Sequence, residues 1–259
     1  MSMTVSQLAA ISRASLERAM TYELELTVAV PHDEEIIHGV FDRGPLRRGS
    51  GGAAVRVGPG SVWIQLLVAH PKVDPSRLMN RHVRPLLAAL AKVGPPGRYF
   101  GRDWVSVEHA PAAFIGFSFD ERSGRALVEM IVAAETRFDI GPRDSFRGQE
   151  PRVLAIDTSR AAAAARAAYE ASGAVHVEPA VPPTDATDDD FAWTVTADEP
   201  IGRIGAAFDA RGRLRFGGEL MTSRQAIEAL EVGVAPEEVF LFGVSPRAIA
   251  NLLASLPRA

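Results

Sequence analysis

Apolar side chains at helical spacing predict helices in the first part of the chain, and alternating or apolar runs predict strands between them. Helices are expected over residues 6–21, about 74–94 and 158–173, with Pro85 causing a kink or a late start in the second. Strands are expected over 25–30, 35–42, 62–69, 104–108 and 152–157. Two further β runs over 112–134 flank the sequence Glu-Arg-Ser-Gly (121–124), which is typical of a hairpin turn.

The composition changes near residue 178 and predicts two units. Residues 177–190 are rich in Pro and Asp, so we expect residues 1–178 to form a large domain, 179–190 a linker and 191–259 a small accessory domain. In the last segment, strands are expected over 191–197, 201–209 and 213–221, followed by helices over 223–233, 235–243 and 245–256. Since the strands come in hairpins, the expected fold class is α+β.

Composition and charge narrow the classes of function. The net charge of −4 disfavours a general nucleic-acid binder, and the absence of cysteine excludes a disulfide or a cysteine nucleophile. No apolar run is long enough to span a membrane and the N-terminus lacks a signal-peptide pattern, so a cytoplasmic protein is expected. The six histidines have no ligand-like spacing, so no metal site is expected from them.

The stretch RRGSGGAAVRVGPGS (47–61) places two arginines beside unusually bare backbone. Glycine amides can approach a ligand closely, and a guanidinium remains charged, so the combination suits a phosphate or a carboxylate. No Lys-Ser/Thr pair follows the glycines as in a P-loop, and the glycine spacing differs from a dinucleotide fingerprint. A glycine-rich hairpin turn without a ligand is the alternative interpretation.

Several segments together resemble the lipoate–protein ligase family. Residues 47–66 resemble its Arg-Arg-x-Ser-Gly-Gly-Gly-Ala-Val signature, and GRDWVSVE (101–108) resembles its Gly-Arg-Asn-Asp segment. Residues 112–133 lie where the family has Lys-Ile-x-Gly, and residues 201–231 resemble its small accessory domain.

The resemblance implies a biotin/lipoate protein ligase-like fold, with a mixed-sheet domain and a small C-terminal α+β accessory domain. It implies ATP and Mg²⁺ if the protein is active, lipoate or a related acyl acid as ligand, and a carrier-protein lysine as acceptor. The residues it places around the acyl-adenylate are Arg47, Arg48, Ser50, Gly51, Gly52, Ala53 and Gly116. Arg47 or Arg48 would balance the charge of the adenylate.

The sequence departs from the family at its catalytic lysine. With Gly116 as the motif glycine, the lysine position is Ala113, or Ala112 if the alignment shifts by one residue, and the chain's lysines are Lys72 and Lys92. The catalytic residue is therefore unknown. Two hypotheses follow: an acyl–protein ligase or transferase, or a non-catalytic pseudoenzyme that binds an acyl-adenylate or a carrier protein. A structural protein with an inherited fold is a third.

Trp63 and Phe114 are expected either to line an acyl tunnel or to belong to the core.

Overall fold

The computed structural model describes residues 2–69, 75–101, 103–136, 139–140, 151–182 and 191–257. Within these ranges it contains five α-helices: α1 (Val5–Ser15), α2 (Pro75–Val93), α3 (Thr158–Ala171), α4 (Arg224–Glu231) and α5 (Pro246–Ala254). A short 3-10 helix covers Pro236–Glu238. No helix in the described ranges is long and apolar enough to cross a bilayer.

The strands of the first 180 residues are β1 (Ser2–Met3), β2 (Leu24–Pro31), β3 (Glu35–Ile37), β4 (Val55–Val57), β5 (Ser61–Ala69), β6 (Arg98–Tyr99), β7 (Trp104–Val107), β8 (Ala110–Asp120), β9 (Arg125–Ala133), β10 (Asp139–Ile140) and β11 (Val175–His176). Those of the C-terminal segment are β12 (Val195–Glu199), β13 (Gly202–Phe208), β14 (Leu214–Gly218), β15 (Met221–Ser223) and β16 (Leu241–Phe242).

A large mixed sheet forms the centre of the molecule, with the strand order β1-β2-β5-β9-β8-β15-β16. Strand β2 pairs in parallel with β1 and β11, β8 pairs in parallel with β15, and the other pairings are antiparallel. Strands β3, β4 and β10 form a separate antiparallel sheet, as do β12, β13 and β14. The described part of the chain is therefore mixed α+β, as expected from its hairpins.

Alternating residues of the central strands enter two different cores because successive side chains point to opposite faces. On one face, Ile64 of β5 packs in a cluster that includes Leu86 of α2 and Tyr169 of α3. On the other, Trp63 packs in a cluster with Leu8 of α1 and residues of β3 and β4. We call the second side the loop face. Both sides of the sheet are covered, which explains why β5 is buried at every position except its last.

The C-terminal segment shares the first of these cores. Its strand β15 pairs with β8, and Ile204, Phe216 and Leu220 belong to the same hydrophobic cluster as the helix-covered face of the large sheet. Division into domains at 179–190 remains a prediction, and residues 183–190 of that segment lie outside the described ranges.

Several predicted elements are confirmed and others need correction. The 112–134 hairpin is confirmed by β8 and β9, and α3 ends before Gly173, which has a φ of +96°. The N-cap of α3 is Asp157, whose carboxylate accepts a bond from the Arg160 amide.

The first predicted helix is shorter than expected and ends at Ser15, and the second begins at Pro75 and continues through Pro85. Residues 152–157 form no strand, although Leu154 and Ile156 donate backbone bonds to residues at and just after the end of β9. Residues 235–243 form a 3-10 turn and the two-residue strand β16 where a helix was predicted. Leu241 and Phe242 instead pair with Thr222 and Met221 of β15, so the edge of the large sheet engages backbone groups that a helix would have used.

Candidate functional site

The glycine-rich loop, defined here as residues 47–54, is the last part of the connection between β3 and β4 on the loop face of the large sheet. Arg48 N–H donates to the carbonyl of His38 at 3.0 Å, which fixes the start of the loop to the preceding segment. Residues 48–54 are all buried, and a Cβ on Gly49 would lie 2.1 Å from the carbonyl oxygen of Ser12. The loop is therefore packed between the large sheet and the other elements that cover the loop face.

The amides of Gly51 and Gly52 donate to other backbone groups of the protein. Gly51 N–H donates to the carbonyl of Phe117 at 2.9 Å, and Gly52 N–H donates to the carbonyl of Leu220 at 2.7 Å. A backbone amide has a single hydrogen to donate. An anion could reach these two amides only if the loop first gave up its bonds to β8 and to the C-terminal segment.

Carboxylates accept the hydrogen bonds of two further loop amides. Ser50 N–H donates to Glu129 Oε2 at 3.2 Å, and Ala54 N–H donates to Glu219 Oε1 at 3.4 Å. Glu129 is fully buried and also accepts a bond from Trp63 Nε1 at 2.9 Å. Burial raises the pKa of Glu219. Acidic side chains thus lie where the resemblance implied the phosphate of an acyl-adenylate.

Arg48 holds the loop together from inside. Its Nε donates to Ser50 Oγ at 3.0 Å and its Nη1 to the carbonyl of Ile37 at 3.2 Å. Its Nη2 donates to the carbonyls of Gly51 and Ala53 at 2.8 and 2.9 Å. Arg48 is 0% exposed, so its guanidinium is not available to a ligand from solvent, and these hydrogen bonds all go to groups of the protein itself.

The charge of Arg48 is stabilised by an aromatic ring and by nearby acids. Its guanidinium carbon lies 4.6 Å from the ring centroid of Phe114, within the range of a cation–π interaction. Burial lowers the pKa of Arg48 to about 10, and the negative charges of Glu129, Asp42 and Glu219 oppose that shift. The group therefore remains a cation at neutral pH.

Arg47 has different surroundings from Arg48, although it directly precedes Arg48 in the chain. Its side chain is half-buried, and its Nη1 donates to the carbonyl of Asp42 at 3.2 Å. Its own carbonyl accepts a bond from the guanidinium of Arg13. Of the two arginines, Arg47 is the one that borders an open cavity, described below.

Strand β8 presents Phe114, Gly116 and Ser118 to the loop. Ser118 Oγ donates to the carbonyl of Gly49 at 2.7 Å. A Cβ on Gly116 would lie 2.4 Å from Ser50 Oγ, so glycine is required there for the loop to lie against the strand. The resemblance placed Gly116 beside an acyl-adenylate, and its close neighbour in this structure is Ser50 of the protein's own loop.

Ala113, the position expected for the family lysine, lies on the opposite face. It pairs with Val105 and Val132, is 0% exposed, and belongs to the core under α2 and α3, as does Ala112. A lysine at either position would enter that apolar core. Neither Ala113 nor Ala112 belongs to the loop-face core; the residue of β8 that packs there against Arg48 is Phe114.

The other residues singled out by the sequence are structural or exposed. Trp63 and Phe114 are fully buried members of the loop-face core, as the plainer of the two interpretations expected. Lys92 is exposed near the end of α2, and Lys72 lies outside the described residues. In the described ranges, no group of three or more acidic or histidine side chains could hold a metal ion.

Sequence reasoning missed Glu129 and Glu219. A usable signal for Glu129 was a single acidic residue inside the apolar strand ALVEMIVA, because a buried carboxylate requires a nearby cation or donor. Glu219 directly follows Gly218 at the end of β14, within the segment 201–231 that resembles the family's accessory domain.

The fold is that of the lipoate–protein ligases. LipL1 of P. falciparum in complex with lipoate is similar with a TM-score of 0.60 at 11% identity, over 97% of this chain and 96% of that chain. A bi-partite lipoate protein ligase from Thermoplasma acidophilum matches with a TM-score of 0.56 at 14% identity, over 69% of this chain and 84% of that chain.

A third structure with this fold is a lipoate-protein ligase A bound with ATP, which has a TM-score of 0.53 and 12% identity, over 69% of this chain and 86% of that chain. No protein-family model and no curated protein matches the sequence. At these identities the likeness shows the fold.

The loop as it stands does not fit the triphosphate of ATP or an acyl-adenylate. Six of its amides donate to acceptors within the protein, and two of these acceptors are carboxylates. A phosphate would have to displace these acceptors and would be repelled by the negative charge that they carry. No catalytic step through ATP is therefore assigned to these residues.

Proposed function

We propose that this chain is a lipoate-ligase-like protein that binds lipoate or a related acyl group, free or attached to a carrier protein, without forming the acyl-adenylate itself. The similarity over nearly the whole chain to LipL1 in complex with lipoate supports the acyl ligand. The Thermoplasma ligase belongs to a lipoylation system that includes an E2 lipoyl domain, and this supports a carrier protein as partner. The expected site of action is the cytoplasm.

The observation that carries the proposal is the internal use of the loop's donors. Loop amides donate to the carbonyls of Phe117 and Leu220 and to the carboxylates of Glu129 and Glu219. A lost oxyanion donor typically slows a reaction by about 10²–10³-fold, and here several donors are engaged at once. No lysine side chain faces the loop from the adjoining strand β8.

An acyl chain could bind at the loop-face core if the packed side chains there moved apart to admit it. Trp63, Trp104, Phe114 and Ile131 form a largely aromatic layer between the large sheet and the glycine-rich loop. An acyl chain is apolar, and each CH₂ moved from water into such a layer contributes about 0.8 kcal/mol. In this proposal the chain is recognised by burial and its carboxyl group remains chemically unchanged.

The direct test is thermal unfolding in the presence of lipoate, a non-hydrolysable lipoyl-adenylate analogue, or a lipoylated carrier domain. A ligand at about 100 times its dissociation constant stabilises the folded state by roughly 2.7 kcal/mol. We expect a shift with lipoate or the lipoylated carrier, and no larger shift with the adenylate analogue. No shift with any of the three would contradict the proposal.

An active ATP-dependent ligase is the second candidate. It is favoured by the match to lipoate-protein ligase A bound with ATP. In that case the loop must release its bonds when ATP binds. Stabilisation by the adenylate analogue well beyond that by lipoate would favour this candidate, with Arg47, Ser50 and Gly116 as residues to examine first. ATP and Mg²⁺ would then be required.

A further inference from the structure

A cavity of about 300 Å³ lies between residues 40–47 and the C-terminal sheet of β12, β13 and β14. It lies outside the buried part of the glycine-rich loop and borders only the first loop residue. The residues that give it its chemical character are Phe41, Arg43, Arg47, Trp193, Arg215 and Phe216. We call this cavity the aromatic–arginine pocket.

The aromatic wall of the pocket is set by two paired glycines. Gly205 of β13 and Gly217 of β14 are directly opposite each other in the sheet. A Cβ on Gly205 would lie 2.5 Å from the Trp193 ring, and a Cβ on Gly217 would lie 2.2 Å from the carbonyl of Phe41. Since only glycine leaves this space, the sheet is shaped to receive an indole ring and the 40–47 segment beside it.

The second wall is a cation stacked on aromatic rings. The guanidinium carbon of Arg43 lies 4.2 Å from the ring centroid of Phe191 and 6.0 Å from that of Trp193. The two rings meet edge to face, with their centroids 5.1 Å apart. The stack presents a fixed positive charge and flat apolar surfaces to the same space.

Arg215 is fixed in place by acidic residues. Its Nε lies 3.1 Å from Asp209 Oδ2, and its Nη1 lies 3.2 Å from Glu231 Oε2. Asp209, which also pairs with Arg213, and Glu231 thus offset the charge of Arg215. Of the other charged residues that line the cavity, two are arginines, Arg43 and Arg47, and one is an acid, Asp42. The positive charge of the pocket lies at Arg43 and Arg47 and favours an anionic ligand.

We propose that the aromatic–arginine pocket binds a small organic anion that carries a flat aromatic body. The aromatic body would stack against Trp193, and its carboxylate, phosphate or sulfonate would accept bonds from the arginines. A cavity of about 300 Å³ is at the lower end of the range for small-molecule sites. The inference does not depend on the proposed acyl-binding function.

The test uses 8-anilinonaphthalene-1-sulfonate as the probe and the intact protein. Binding is measured by probe fluorescence and by energy transfer from tryptophan for the wild type, Arg43→Gln and Trp193→Phe. Arg56→Gln is the matched control, because Arg56 is exposed and pairs with Glu34 outside the pocket. Thermal unfolding of each variant confirms that it is folded before binding is measured.

We expect one probe molecule per chain, affinity at least 10-fold weaker in Arg43→Gln, unchanged affinity in Arg56→Gln, and loss of most energy transfer in Trp193→Phe. Competition by adenosine 5′-monophosphate identifies a phosphate-bearing ligand, and competition by 1-naphthoate identifies an aromatic carboxylate. Equal binding by wild type and Arg43→Gln, or no displacement by either competitor, overturns the proposal.

The result is separable from the test of the acyl site. Neither Arg43 nor Trp193 belongs to the loop-face core around Phe114. A failed lipoate shift together with intact probe binding would contradict the proposed function alone. A stabilising shift with lipoate but no probe binding would contradict the proposed pocket ligand alone.

Discussion

Arg47 and Arg48 are adjacent in the chain, and their guanidinium groups have different surroundings. Arg48 is fully buried and donates to the hydroxyl of Ser50 and to the carbonyls of Ile37, Gly51 and Ala53. Arg47 is half-buried and borders the aromatic–arginine pocket. The same residue type thus stabilises a loop at one position and lines a cavity at the next.

The glycine-rich loop and the aromatic–arginine pocket differ from each other in the same way as these two arginines. The glycine-rich loop has the composition of an anion site, yet its amides and its buried arginine are engaged within the protein. The aromatic–arginine pocket has no sequence motif, but its walls face open space. A motif therefore identifies the groups that can bind a ligand, and the hydrogen bonds of the fold decide whether those groups are available.

Ala113→Lys tests which face of β8 position 113 occupies, and it has the largest expected effect on the free energy of unfolding. The position is buried in the apolar core, so the lysine must lose its proton or carry its charge into that core. Deprotonation at pH 7 alone costs about 4.6 kcal/mol, since the ordinary pKa is about 10.4. We expect a loss of at least that size in urea unfolding, and no gain of adenylation.

Ala163→Lys is the control for this substitution, because Ala163 is exposed on α3. It should change stability by less than about 0.5 kcal/mol. A stable Ala113→Lys protein that releases pyrophosphate would show that position 113 reaches the loop after all.

Replacing the two arginines tests their assignment to different roles. Arg48→Met should destabilise the protein by about 3–5 kcal/mol, because it leaves buried carbonyls and the buried carboxylate of Glu129 without the cation. Arg47→Met should cost about 1 kcal/mol or less, as is typical of a partly exposed side chain. The measurement is the urea midpoint of both variants. Equal losses of stability in the two variants would contradict the assignment of Arg48 to the hydrogen bonds of the loop and of Arg47 to the pocket.

The acid that anchors the pocket predicts how stability depends on pH. Bonds from the backbone and side chain of Arg213, together with the Arg211 amide, lower the pKa of Asp209 to about 2. A lowered carboxyl pKa contributes stability above the unfolded value of about 4, and this contribution is lost as the pH falls toward 2. Asp209→Asn should flatten the decline in unfolding free energy over that interval.

Asp198→Asn provides the comparison for Asp209, because Asp198 is an exposed acid on β12 that pairs with Arg203. It should leave the pH profile close to that of the wild type. Identical profiles for Asp209→Asn and the wild type would argue against the ion pairs that fix the pocket.

Limited proteolysis tests the predicted boundary between the two units. The Pro- and Asp-rich composition predicts the first cut within about residues 178–192. A first cut within 47–60 would mean that the glycine-rich loop opens more readily than the predicted linker, and mass spectrometry of the early fragments distinguishes the two.

The sequence was most informative about elements with a strong local signal. The β8–β9 hairpin follows from its apolar runs and its turn, and the end of α3 follows from Gly173. The family resemblance indicated the fold. These features depend on neighbours in the chain or on a pattern that spans it.

Features that depend on long-range contacts could not be read from the sequence. Phe114 and Ala113 are adjacent in one strand, and a bulge between β7 and β8 precedes them, so the face of each was not evident from spacing. The partners of the loop amides, Glu129 and Leu220, are distant in the chain. The aromatic–arginine pocket likewise joins residues near 43 to residues near 193 and 215.

The central claim is that the glycine-rich loop is committed to internal hydrogen bonds and does not support acyl-adenylate formation. The most direct measurement is pyrophosphate release by the wild-type protein with lipoate, ATP and Mg²⁺, with an active lipoate–protein ligase as the positive control. We predict no lipoate-dependent release above the protein-free background. Lipoate-dependent release at a rate comparable to that of the positive control would contradict the claim.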